Sequence, residues 1–423
     1  MNRWQPPERT PTAIALYAAA EDDRRTNPDG YRLGAEAVDV VIDQATSGRG
    51  PDELGDPAQW HAGLTVYLAS AQEDGALNAL GARMAHDTAV GRLRARTKIS
   101  RYCDAHPTVS ARDVAPPIVI IGGWRTGTTF LYRMLAADPR LRAPLPAELV
   151  MPWQLADLSD DEHNVRIEAS ATAHDVLHLL NPTMAAVHDS GAQLPEECVL
   201  AMGTHLCNWG FMSTTRLDGY AKWLADQDFF DEYRQHRRVL QMLDNGDGRR
   251  WLLKAPAHTA ELPHLAATYP GVCVVHLHRD IVETVASGSS LFATYRSTYS
   301  DYVDGPDVGR FQTEQTLLWL RRAAEFKALG TRQCTVVDLN YSDLIADPAH
   351  VVRRIYQAAD IDPPDTAAMV ANHHRTQPRH AKGIHRYSPA DFGLDANALR
   401  DQLLTVVQSG PRDFRGLRPC ERQ

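Results

Sequence analysis

Lysine is nearly missing from this 423-residue chain: of 44 basic residues only Lys98, Lys222, Lys254, Lys327 and Lys382 are lysines, and the rest are arginine. Acidic residues outnumber basic ones, and the net charge of −9 excludes a general nucleic-acid coat, which needs a basic face to displace counterions. Any anionic ligand must therefore be met by a local cluster of cations. Cysteine is scarce as well. The six residues Cys103, Cys198, Cys207, Cys273, Cys334 and Cys420 contain no C-x-x-C pair, which argues against a disulfide framework and fits reduced thiols in a cytoplasmic protein. No uncharged apolar run approaches the roughly 18 residues of a membrane span, and the start of the chain lacks the apolar segment of a signal peptide. A cytoplasmic protein without a membrane span is the expectation.

What is present is a chain long enough for two or three domain-equivalents. Residues 1–113 alternate Ala/Leu-rich segments with Gly/Pro/Asp breaks, which predicts a helical region. After Asp113-Val114-Ala115-Pro116-Pro117 the character changes. Ile118-Val119-Ile120-Ile121 is a wholly apolar, β-branched run suited to a strand buried on both faces, and Trp251–Leu253, Val272–Leu277 and Thr335–Leu339 resemble it. Each precedes a polar turn and a helical pattern, so 114–423 is read as an α/β domain with a parallel sheet flanked by helices. Residues 150–250 are expected to form an acceptor-binding insertion over the carboxyl ends of the strands.

Behind the first strand stands Gly122-Gly123-Trp124-Arg125-Thr126-Gly127-Thr128-Thr129, then a helix. Such a turn points backbone N–H groups and the positive helix end at one spot, the makings of a phosphate cradle. Against the ATPase pattern G-x-x-x-x-G-K-[ST], Gly122, Gly127 and Thr129 are in place, but Thr128 replaces the lysine and the cation has moved to Arg125. A nucleotide or small-molecule kinase, or a non-catalytic nucleotide-binding protein, is the alternative on the same fold.

Arg125-Thr126-Gly127-Thr128-Thr129-Phe130-Leu131 resembles the 5′-phosphosulfate loop of sulfotransferases that use 3′-phosphoadenosine-5′-phosphosulfate (PAPS), in the form found in tyrosylprotein and many bacterial members. The resemblance covers roughly 116–395. Arg279, ending a strand, and Ser287, a little over two helical turns later, resemble the family's 3′-phosphate site; Asp280 and Glu283 between them suggest a capping pair. Tyr341 in Tyr341-Ser342-Asp343-Leu344 resembles the adenine-pocket segment, and Lys382-Gly383 a further 3′-phosphate contact. What the resemblance implies is sulfuryl transfer from PAPS to a hydroxyl of a small acceptor.

For the chemistry, Arg125 and Lys254, the latter in Leu253-Lys254-Ala255-Pro256, are the cations expected to stabilise the departing charge. Glu148 is the first choice of base, His258 the second, and Glu196-Glu197 with His188 the third. Trp153, Trp209, Phe211, Tyr220 and Trp223 suit either an apolar or aromatic acceptor site or the core. His276-x-His278 and His373-His374 with His380 and His385 invite a metal reading, but no regular ligand spacing emerges and no metal is expected.

Overall fold

The computed structural model describes residues 4–330, 333–377 and 386–408. Five parallel strands form one sheet in the order β2-β3-β1-β4-β5: β1 Ile118–Gly122, β2 Leu141–Arg142, β3 Arg250–Lys254, β4 Val272–His278 and β5 Cys334–Asn340. The four apolar runs read from the sequence are strands. The two-residue edge strand β2 was not legible, because it is too short to carry a pattern.

β1 is buried at every position, as a central strand with helices on both faces must be. Its side chains alternate between two apolar clusters. Ile118 and Ile120 join Leu131, Leu252, Val275 and Tyr356 on one face. Val119 and Ile121 face the other, where the cluster also holds Val41, Leu64 and Leu93 from the first hundred residues. The N-terminal region is helical as expected, its longest helix being Ala79–Ala105. That helix begins at an Asn78 cap whose Oδ1 accepts from the Gly81 N–H at 2.9 Å. The Asn78 N–H itself donates to the carbonyl of Tyr299 at 3.1 Å, tying this helix to the end of the Ile281–Tyr299 helix.

Between β2 and β3 the insertion carries short helices, including Asp160–Ala169, Ala171–Leu180 and Phe230–Leu243. Trp209, Phe211 and Tyr220 within it are buried, and the Tyr67 ring lies 5.1 Å from Phe211 and 5.7 Å from Tyr220. Those three aromatics are core, built jointly with the N-terminal helices, which removes them as lining for an acceptor.

Candidate active site

Parallel register carries three chemical groups to one end of the sheet. Ile120 of β1 pairs with Lys254, the last residue of β3, and Gly122 pairs with Leu277 near the end of β4. The loop 123–127 therefore leaves the sheet between Lys254 on one side and Arg279 on the other.

The loop turns into the helix Thr128–Leu135 through Gly127, whose φ of 91° is left-handed backbone that suits glycine. Arg125 has a φ of 61°, uncommon for a residue with a side chain, and such strain costs on the order of 1–3 kcal/mol. Its guanidinium donates to the carbonyl of Val187 at 3.1 Å, and its own carbonyl accepts from Arg279 at 3.0 Å. Thr126 and Thr128 are buried and Thr129 half-buried; the Thr126 hydroxyl donates to the Gly123 carbonyl at 2.8 Å.

Arg279 stacks over the Tyr341 ring, its Cζ 4.6 Å from the centroid, and pairs with Glu283 at 3.2 Å. Asp280 caps the Ile281–Tyr299 helix by accepting from the Val282 and Glu283 N–H groups. Glu283 turns to Arg279 instead of closing the capping pair the sequence suggests. About one turn past Glu283, Ser287 is 1% exposed and its hydroxyl has no hydrogen-bond partner. The next residue explains its position: a Cβ on Gly288 would lie 2.9 Å from Trp124, so the helix presses directly against the loop here. Phe130 lies edge-on to His373 at 4.8 Å. Lys382, Gly383, His380 and His385 lie outside the described residues.

Lys254 is 1% exposed, and its ammonium donates to Glu197 at 2.7 Å. The adjacent Glu196 accepts from His188 Nε2 at 3.2 Å. Burial pushes the Glu196 carboxyl up, but His188, Lys254 and the Glu197 N–H outweigh it and hold its pKa down to about 2. Since an ionised carboxylate only accepts, His188 donates from Nε2, which leaves Nδ1 as the ring nitrogen turned away from Glu196.

The first two sequence candidates for a base are placed differently. Glu148 is buried and accepts from Leu145 N at 2.7 Å, from Arg142 at 3.1 Å and from His163 at 3.2 Å. Burial raises its pKa, yet His163, Arg142 and the Leu145 N–H together lower it below the usual carboxylate range. It caps the Pro146–Val150 helix. His258 has no exposed surface, with Nε2 3.0 Å from Cys198 Sγ and Nδ1 2.6 Å from the Tyr233 hydroxyl. Burial and neighbouring His236 push its pKa well down.

The His276-x-His278 pair does meet a third ligand type, Asp338, but Lys327 already puts its ammonium 2.9 Å from His276 and 2.5 Å from Asp338.

The pattern of the Sulfotransferase family matches residues 116–365, more than half of the chain. The chain belongs to that family. Among its relatives, the omega-hydroxy-beta-dihydromenaquinone-9 sulfotransferase Stf3 of Mycobacterium bovis is 25% identical over 270 residues, 57% of this chain and 62% of that protein. Its namesake in Mycobacterium tuberculosis gives the same figures, so the match spans less than two thirds of these relatives' length. The sulfotransferase STF1 of Mycobacterium tuberculosis superposes with a TM-score of 0.74 at 28% identity, covering 87% of this chain and 98% of that one. STF9 of Mycobacterium avium gives the same TM-score at 23% identity, covering 88% and 95%, a likeness of fold. No helix among the described residues is long and apolar enough to cross a membrane.

Proposed function

We propose that the chain transfers the sulfuryl group of PAPS to a hydroxyl of a small, apolar or aromatic acceptor. The observation that carries this reading is the convergence of Lys254, the Arg125 loop and Arg279 at the carboxyl ends of three adjacent parallel strands. The residues fit the donor: Ser287 offers a buried hydroxyl without a partner, beside a loop that ends in a helix N-terminus. PAPS supplies a sulfur already activated by its phosphate, so the transfer calls for cations and a base.

Arg279 and Ser287 are assigned to the 3′-phosphate, Tyr341 and Phe130 to the adenine side, and residues 125–129 to the 5′-phosphosulfate. Arg125 and Lys254 stabilise charge that grows on the departing oxygen, where fixed cations act most strongly. Glu197 holds the Lys254 ammonium at 2.7 Å and so orients it.

For the base, an accessible lone pair is required. Glu148 spends its carboxylate on three donors and His258 is enclosed, whereas His188 is half-buried and follows Val187, whose carbonyl receives Arg125. His188, oriented by Glu196, is therefore assigned to accept the acceptor's proton at Nδ1. The apolar class of acceptor is supported by the menaquinone derivative in the name of the Stf3 relatives.

The test is calorimetric titration with 3′-phosphoadenosine-5′-phosphate, followed by transfer of labelled sulfate to a panel of hydroxyl compounds. Saturable binding and a labelled ester are expected; absence of nucleotide binding sinks the reading.

A further inference from the structure

Directly behind the Lys254–Glu197 pair lies a cluster that the transfer reaction does not use. Cys198 follows Glu197 in the chain, His258 stands four residues after Lys254 in the Pro256–Ala260 turn, and His236 projects from the Phe230–Leu243 helix. All three are buried, and one donor atom from each lies within 4.8 Å of the other two. The two imidazoles are held alike. His258 Nδ1 is 2.6 Å from the Tyr233 hydroxyl and His236 Nδ1 is 2.6 Å from the Tyr269 hydroxyl. Each ring thus has one nitrogen fixed by a tyrosine and Nε2 left for something else. His258 Nε2 faces Cys198 Sγ at 3.0 Å, and His236 Nε2 is buried with no partner at all. A buried imidazole nitrogen without a partner is unfavourable unless a ligand takes it.

We propose that Cys198 Sγ, His236 Nε2 and His258 Nε2 bind a zinc ion. One thiolate with two neutral imidazoles is a donor set for zinc, and ring nitrogens fixed by an outer hydrogen bond are the usual support of metal-bound histidine. Zinc bonds of about 2.3 Å to sulfur and about 2.0 Å to nitrogen set the donors roughly 3.3–3.6 Å apart, so the three need only small shifts. Binding releases the Cys198 proton to solvent, leaving a site of charge +1. Buried Glu232 offsets this charge; it acts on His236, although its oxygens are engaged by the N–H groups of Gly203, His205 and Cys207. Without metal, burial keeps Cys198 a thiol, its pKa pushed up to about 12. The ion staples the 196–198 segment and the turn after β3 to the Phe230–Leu243 helix, and so fixes both members of the Lys254–Glu197 pair.

The test is elemental analysis of the full chain, expressed without a histidine tag and purified without chelator. About one zinc per chain is expected, with a rise in Tm when ZnCl2 is returned to chelator-treated protein. Cys198→Ser combined with His236→Gln should bring zinc to background. Should that variant not fold, Co2+ added to chelator-treated wild type must give a sulfur-to-cobalt charge-transfer band. Metal-free wild type whose Tm ignores Zn2+, zinc retained by the folded double variant, or cobalt bound without that band each overturns the proposal. None of these readouts depends on sulfate transfer.

Discussion

Lys254 and Glu148 show how one residue type reads differently once its partners are known. Both are buried, but Lys254 meets a single carboxylate, that of Glu197, while Glu148 is surrounded by donors. We expect Arg125→Ala and Lys254→Ala each to lower kcat/KM about 10²–10³-fold, the scale of one lost transition-state donor, in an assay with labelled sulfate. His188→Ala should lower kcat about 10²–10⁴-fold with nucleotide affinity intact, as loss of a base does, and measured rates near wild type would return the role to Glu148. Glu148→Gln is expected to keep turnover and lower Tm, because it weakens the charge-assisted bonds to Arg142 and the cap. Glu196 carries a pH signature. Its carboxyl is held at about 2, below its ordinary 4.5, so it stabilises the fold fully above about pH 4.5, and this is lost as pH falls towards about 2. Acid unfolding of Glu196→Gln followed by circular dichroism should lack that component.

At the scale of the element, the Ile281–Tyr299 helix joins the two ends of the nucleotide site. Its cap Asp280 adjoins Arg279, and its second turn sets Ser287 beside the loop through the Gly288–Trp124 contact. Arg279→Ala should weaken 3′-phosphoadenosine-5′-phosphate binding roughly 10–100-fold, as loss of a charge-assisted hydrogen bond does, with Ser287→Ala having a smaller effect. Calorimetry against adenosine 5′-phosphate separates this from general damage, because a ligand without the 3′-phosphate should lose little.

Across the whole molecule, the composition break at 113–117 marks a change of secondary structure within a shared core. Val41, Leu64 and Leu93 pack in the same cluster as Val119, Ile121 and Leu253, and Tyr67 packs on Phe211 and Tyr220. A chain beginning at residue 114 would expose that face, so we expect it to be insoluble or to bind hydrophobic dyes, measured against the full chain.

The sequence alone determined the parallel sheet, the loop and the Arg279–Ser287 spacing. These are local: a run of β-branched residues, a glycine turn and a helical repeat each leave their mark within about ten positions. Tertiary structure decided the rest. Whether Glu148, His258 or His188 keeps a usable lone pair depends on how partners 3 to 60 residues away are folded around it, from Leu145 beside Glu148 to Cys198 beside His258. The gathering of Cys198, His236 and His258 is equally hidden from spacing, because it exists only where an insertion, a helix and a strand-end turn meet inside the core.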